Sequence, residues 1–163
     1  MERAFLVCAA AVPLSLGCGF QKTAPIANVC ALLSLGDAAT LAPGLTTATE
    51  QPAQDSQDVW TRACAYRGSG DVVARVDLLV SGALTSAGAQ QLADSLSISD
   101  PETQVTVVAG LGDRAVYWEH WDYGEGLYAI RGGYGVGLGK TYASNIGEAD
   151  FKSLVQKVLT QIP

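Results

Sequence analysis

The single histidine of the chain lies among acidic residues, a combination that hydrolases use. Glu119, Asp122 and Glu125 flank His120. A serine hydrolase would need a strained Gly-x-Ser-x-Gly turn beside that histidine, and the sequence contains no such motif. Paired carboxylates could instead hydrolyse a glycoside, although acids in a strand and turn are usually solvated. The sequence therefore assigns no catalytic residue, and a small hydrolase stays an alternative function.

Two glycine-containing segments match nucleotide-binding loops only in part. Gly139-Lys-Thr141 lacks the glycine that a phosphate loop places five residues earlier, since Tyr134 stands there. Gly110-Leu-Gly-Asp-Arg-Ala115 matches the dinucleotide pattern, but the β-rich Val116-Tyr-Trp118 follows it where that site needs a helix. A tight turn between strands explains the second segment better. We predict no nucleotide and no other cofactor.

The four cysteines indicate export and not catalysis. Cys8 lies in an apolar N-terminal stretch that begins after Arg3 and ends at Cys18. The stretch is shorter than the roughly 20 residues that a membrane-spanning helix needs. It predicts a signal peptide over 1–17, with Cys18 as the palmitate-bearing N-terminus of a lipoprotein. The alternative is a plain secretory signal that leaves Cys18 as a spare thiol.

Cys30 and Cys64 are the two cysteines in the body of the chain. Exported proteins oxidise paired thiols, so we predict a Cys30–Cys64 disulfide. A zinc or redox site is the rival interpretation. It would require a Cys-x-x-Cys motif or more histidines than the sequence holds, so no metal ligand is predicted.

Charge and length restrict the partners and the domain organisation. The net charge of −6 disfavours nucleic acid and anionic lipid surfaces. Membrane attachment would therefore occur only through the lipid anchor. About 145 residues remain after cleavage, enough for one domain. We predict the lipidated cysteine and a tether over 18–29, and a single domain over 30–163.

Hydrophobic periodicity predicts an α+β fold. A capping box, Ser34-Leu-Gly-Asp37, begins a short helix that Pro43-Gly44 ends, and a polar loop follows over 43–59. Thr85 or Ser86 can cap a second helix, and a C-terminal helix carries an apolar stripe from Phe151 to Ile162. Strands are predicted over 60–66, 71–80, 104–109, 114–121, 126–131 and 133–142. Short turns between them favour one antiparallel sheet of about six strands with the three helices packed on it.

The strand over 133–142 alternates glycine with larger residues. Gly133, Gly135, Gly137 and Gly139 share one face, and Tyr134 lies on the other. Such a bare face suits either close packing or a ligand that lies on the backbone. Aromatic residues cluster in the same half of the chain. We therefore predict a candidate binding surface that comprises Trp118, His120, Trp121, Tyr123 and Tyr134.

Several short motifs resemble a family of small exported bacterial lipoproteins of unknown function that are common in actinobacteria. They are Asn28-Val-Cys-Ala-Leu-Leu33, Cys64-Ala-Tyr66, Gly110-Leu-Gly-Asp-Arg-Ala-Val-Tyr-Trp118 and Leu127-Tyr-Ala-Ile-Arg-Gly-Gly133. The resemblance covers about 30–163 and implies an α+β domain with a Cys30–Cys64 bridge, but no catalytic residues.

Together these observations favour a non-enzymatic binding or accessory module of the cell envelope. It would be anchored by lipid to the cell membrane or outer membrane, on the periplasmic or extracellular face. Its partner would be an envelope protein or a small ligand. A purely structural envelope protein is the alternative.

Overall fold

The computed structural model describes residues 22–69, 74–97, 100–120, 122, 124–141 and 146–163. The predicted signal peptide 1–17, Cys18, Trp121 and Tyr123 lie outside these residues. Within them, no helix is both long and apolar enough to cross a membrane.

The described chain folds into three helices and one antiparallel sheet of eight strands, which confirms the α+β class. The helices are α1 (Leu35–Leu41), α2 (Ser86–Asp94) and α3 (Glu148–Leu159). The strands are β1 (Leu45–Glu50), β2 (Gln54–Asp55), β3 (Val59–Gly68), β4 (Arg75–Ala83), β5 (Thr103–Val107), β6 (Arg114–His120), β7 (Gly124–Arg131) and β8 (Tyr134–Thr141). The strand order is β1-β3-β4-β8-β7-β6-β5, and β2 pairs with β3.

Two of these strands are absent from the prediction. The predicted loop over 43–59 contains β1 and β2, so the loop and the count of about six strands are wrong there. In β1 only Leu45 is buried, and every other residue is exposed. An edge strand with both faces in water has no alternation of apolar and polar residues, so hydrophobic periodicity does not predict it.

The inner face of the sheet carries the main core. Val76, Leu78 and Val80 of β4 are fully buried and share this face with Val136 and Leu138 of β8. The predicted stripe of α3 packs on it, since every member is buried: Phe151, Leu154, Val155, Val158, Leu159 and Ile162. α1 lies on the same side, where it contacts α3 and β1.

The helix ends confirm the capping signals in the sequence. Ser34 and Asp37 form a reciprocal capping box at the start of α1. Thr85 is the N-cap of α2, where its hydroxyl accepts a hydrogen bond of 3.1 Å from the Gly88 N–H. α2 packs against β4, and Ser95 at its end lies near the Tyr128 hydroxyl of β7 on the outer face of the sheet.

The predicted disulfide is present, and it joins the segment before α1 to the middle of β3. Cys30 and Cys64 are bonded, with their Cα atoms 5.0 Å apart. The residues before Cys30 also pack on the domain, although the sequence predicts a tether there. The Thr23 N–H donates to the Ala83 carbonyl over 3.0 Å, and the Trp60 indole N–H donates to the Thr23 carbonyl over 3.1 Å.

Candidate binding groove

The glycines of β8 face the outer side of the sheet, as the alternation predicts. Tyr134, Val136, Leu138 and Lys140 are all buried on the inner side. What covers the glycines is an aromatic ring from the neighbouring strand. Tyr128 of β7 is paired with Gly137, and a Cβ at Gly135 would collide with the Tyr128 hydroxyl. A Cβ at Gly137 would lie 3.0 Å from Tyr128 Cδ2, so these two glycines make room for the Tyr128 ring.

Trp118 of β6 lies over a second pair of glycines. A Cβ at Gly126 of β7 would lie 2.8 Å from both Cε2 and Cζ2 of the indole. At Gly139 of β8 it would lie 3.7 Å from Cζ2, which is an ordinary contact. The two aromatic rings therefore rest on glycine backbone, and Gly139 keeps some free space above it.

An open groove runs beside these rings on the outer face. It has a volume of about 210 Å³ and is lined by Asp77, Leu79, Trp118, Leu127, Tyr128, Gly137, Leu138 and Gly139. Leu79 of β4 is 36% exposed and forms the wall opposite the rings. Sites for drug-sized ligands measure roughly 300–1,000 Å³, so this groove suits a single ring.

Asp77 is the carboxylate of the groove, and its charge is already balanced. Its Oδ1 accepts a hydrogen bond of 3.0 Å from Arg67 Nη1, and its Oδ2 accepts one from Arg75 Nε. With two guanidinium groups at one carboxylate, the groove has no surplus negative charge for a cation. It offers hydrogen-bonding groups at one end and aromatic rings along the side.

The predicted surface residues do not converge on this groove as a set. Trp118 lines it. Tyr134 lies on the opposite face, where it is 6% exposed and its ring packs edge-on against Trp60 with ring centroids 6.0 Å apart. Tyr134 therefore belongs to the core, because side chains alternate along β8. Trp121 and Tyr123 lie outside the described residues.

His120 is buried at the end of β6, among acids that the sequence did not single out. Its Nε2 lies 3.7 Å from Asp100 Oδ2 and 3.7 Å from Glu102 Oε2, and its Nδ1 accepts a hydrogen bond from the Asp122 N–H. Glu119 points to the other side of the sheet, because it alternates with His120 along β6. Among the described residues, no group of three or more His, Cys, Asp or Glu could hold a metal ion.

A buried polar cluster lies on the inner face, and Glu125 is its one member that the sequence marks as a candidate acid. The Tyr117 hydroxyl donates to Glu125 Oε2 over 2.5 Å, and Lys140 Nζ lies 3.3 Å from Glu125 Oε1. The Lys140 side chain is 3% exposed, and that of Glu125 is 10% exposed. Burial raises the pKa of Tyr117, and the hydrogen bond to Glu125 and the nearby charges of Glu119 and Glu148 raise it further.

This cluster borders a cavity of about 330 Å³ at the N-terminus of α3, lined by Tyr117, Glu119, Glu125, Ile146 and Gly147. A sequence signal for it existed. Lys140 follows Val136 and Leu138 at a spacing of two, which places a charge on the apolar face of a strand. A buried lysine needs an anionic partner, and Glu125 provides it.

The chain is an α+β domain. Helices cover the inner face of its sheet, and the outer face is partly open. A solved structure of similar fold is the extracellular domain of PknH from Mycobacterium tuberculosis, with a TM-score of 0.53 and 13% sequence identity. The match covers 88% of this chain and 98% of that one. No protein-family model and no curated protein matches the chain.

Proposed function

We propose that this chain is a lipoprotein exposed at the cell envelope, and that its domain binds a ligand without catalysing a reaction. The apolar stretch that ends at Cys18 supports export and lipid anchoring. The Cys30–Cys64 disulfide supports an oxidising compartment. The fold shared with an extracellular domain agrees with that location.

The ligand we propose is a neutral sugar ring, as found in envelope polysaccharides. The observation that carries this proposal is the placement of Trp118 and Tyr128 on a floor of glycine backbone, beside an open groove. Aromatic rings bind the apolar face of a sugar by stacking, and the Asp77–Arg67–Arg75 group would hydrogen-bond its hydroxyls. The balanced charge of Asp77 favours a neutral ligand over a small cation.

The groove is tested by titrating the purified domain with methyl glycosides of common hexoses, pentoses and N-acetylhexosamines. The readouts are tryptophan fluorescence and amide chemical shifts. We expect at least one glycoside to shift the amides of Gly137 and Gly139. Trp118→Ala should weaken that binding at least tenfold. Val107→Ala is the matched control, because Val107 lies on the same face outside the groove and is 80% exposed.

Two results would contradict the sugar site. One is equal affinity of the Trp118→Ala variant and the wild-type protein for the same glycoside. The other is an absence of amide shifts at β8 for every glycoside of the panel. Far-ultraviolet circular dichroism and urea unfolding of each variant establish that the fold is kept before any loss of binding is interpreted.

The lipid anchor is tested separately in cells. Radiolabelled palmitate should be incorporated into the wild-type chain and not into a Cys18→Ser variant. Label that persists in the variant would place the lipid elsewhere. An unlabelled wild-type chain that is still exported would favour a plain secretory signal.

A further inference from the structure

The last strand of the sheet, β5, presents free backbone groups along its outer edge. The Val108 N–H donates to the Ala115 carbonyl over 3.0 Å, which continues the β5–β6 ladder by one residue. Bonded and non-bonded pairs alternate in an antiparallel ladder, so Thr106 and Gln104 bond β6. The N–H and C=O groups of Val105 and Val107 therefore point away from β6, and no described strand lies on that side.

This edge lacks the usual features that prevent strand pairing. Natural edges carry lysines, prolines or bulges, whereas β5 reads Thr-Gln-Val-Thr-Val without a charge. Val105 is 41% exposed and Val107 is 80% exposed. Both are β-branched residues that favour extended partners.

A cleft lies directly beside the edge. It has a volume of about 760 Å³ and lies between β5, the end of α2 and the loop that precedes β6. Ala93 of α2 and Leu96, which follows the helix, line it together with Val105, Val107 and Val116. A strand added to β5 would place alternate side chains toward this cleft, where they would meet apolar residues.

The charged side chains around the β5 edge are mostly acidic, and they favour a partner of opposite charge. Asp94 and Asp113 line the cleft, and Asp100 and Glu102 lie in the segment before β5, each 3.7 Å from His120 Nε2. The basic groups there are Arg114 in the lining and Lys152, whose Nζ donates to the Ala109 carbonyl over 2.7 Å. Two copies of this chain, each with a net charge of −6, would bring these acids together. A basic segment would meet them favourably.

From these observations we infer that the β5 edge binds an extended basic polypeptide segment by strand addition. Backbone pairing with Val105 and Val107 supplies the affinity, and the acids select lysine or arginine. The site is separate from the groove, so it stands whether or not a sugar binds there.

The probe is a capped hexapeptide of alternating lysine and valine, added to the isotope-labelled domain. We expect chemical-shift changes at residues 103–107 and at least tenfold slower hydrogen exchange at the Val105 and Val107 amides. The control peptide has the same sequence with every backbone amide N-methylated, so neither of its edges keeps a backbone donor. It should bind at least tenfold more weakly, and binding of the parent should weaken with added salt.

The matched protein variant is Val105→Pro. It removes an N–H that points away from the sheet, so the ladder to β6 stays intact and the domain should fold. This variant should lose peptide binding. Undiminished binding by Val105→Pro, equal affinity for the N-methylated peptide, or no binding by the wild-type domain would overturn the proposal.

Two further outcomes are also decisive. If Val105→Pro does not fold, the comparison of the two peptides on the wild-type domain decides alone. If the wild-type domain sediments as a dimer, binds no peptide and becomes a monomer in Val105→Pro, a second copy is the occupant and the basic-segment proposal is wrong.

Discussion

Gly135 and Gly139 lie on the same face of β8, yet a side chain would meet different surroundings at each. At Gly135 a Cβ would collide with the Tyr128 hydroxyl, which would be 2.0 Å away. At Gly139 the nearest atoms are Trp118 Cζ2 at 3.7 Å and the Glu125 carbonyl oxygen at 3.9 Å. The first site is filled by a neighbouring ring, and the second is open at van der Waals distance.

We therefore predict opposite effects of alanine at these two positions. Gly135→Ala should lower the free energy of unfolding by about 1–3 kcal/mol, because Tyr128 must move. Gly139→Ala should leave it unchanged or raise it by up to about 1 kcal/mol, because alanine loses less backbone entropy than glycine on folding. Urea unfolding of both variants measures the difference. Equal destabilisation by the two substitutions would contradict the placement of the Tyr128 ring.

The sequence predicts which face of β8 carries the glycines, but not which ring covers them. Alternation along β8 assigned the glycines to one face and Tyr134 to the other, which the structure confirms. It did not identify Tyr128 as the ring above Gly135 and Gly137. That requires the β7–β8 register, in which Tyr128 pairs with Gly137. The register depends on pairing between strands, which one strand's pattern does not determine.

Among the helices and strands, the sequence predicts some elements better than others because they differ in how much apolar surface they bury. α3 buries a continuous stripe of apolar side chains, so hydrophobic periodicity alone predicts this helix. In β1 only Leu45 is buried and the next five residues are exposed. Its threonine-rich composition is therefore the one feature of the sequence that favours a strand. The candidate groove is harder still, because its residues come from β4, β6, β7 and β8. The sequence predicts Trp118 as a surface residue. Leu79 and Asp77 lie beside it only because the order of strands in the sheet brings β4 near β6.

One carboxylate, that of Asp37, forms an ion pair between α1 and α3. Asp37 Oδ2 accepts a hydrogen bond of 2.7 Å from Lys157 Nζ of α3 and one of 3.1 Å from the Ser34 N–H. The hydrogen bond from Lys157, followed by that from the Ser34 hydroxyl, lowers the pKa of Asp37 below 3.8. Asp37 thus both caps α1 and joins it to α3.

This geometry gives a pH-dependent prediction for Asp37→Asn. A lowered pKa in the folded state means that the ionised carboxylate adds stability above the unfolded value of 3.8. That stability is lost as the pH falls through the lower folded value. Asp37→Asn should therefore cost about 1 kcal/mol at pH 7 and much less at about pH 2.5. Urea unfolding at the two pH values measures both differences.

The Lys157→Gln variant is the matched control for the ion pair. The double variant should lose less than the sum of the two single losses, because both substitutions remove the same contact. A penalty for Asp37→Asn that is constant from pH 7 to about pH 2.5 would show that the carboxylate charge contributes nothing.

On the scale of the whole molecule, the two halves of the chain are held differently. The C-terminal half buries the α3 stripe against β7 and β8. The N-terminal half contains the short α1 and the exposed β1, and it is closed by a covalent bond between Cys30 and Cys64. The disulfide therefore adds a covalent constraint to the apolar contacts of this half, in which Leu33, Leu41 and Tyr66 are fully buried.

Removal of this bond should destabilise the domain strongly and unevenly. The bridged cysteines are separated by 34 residues in sequence. Closing a loop of that length stabilises a protein by about 3–4 kcal/mol in the chain-entropy model. We expect the Cys30→Ala/Cys64→Ala variant to lose about that amount of unfolding free energy in urea. Both the variant and its reference protein carry Cys18→Ser to prevent thiol exchange.

Hydrogen exchange should accelerate first at α1 and β1, because these elements lie inside the closed loop. The amides of β7, β8 and α3 should stay better protected. Uniform acceleration of exchange across the sheet would show instead that the two halves unfold as one unit. An unchanged free energy of unfolding would show that the apolar contacts of Leu33, Leu41 and Tyr66 hold the N-terminal half without the bridge.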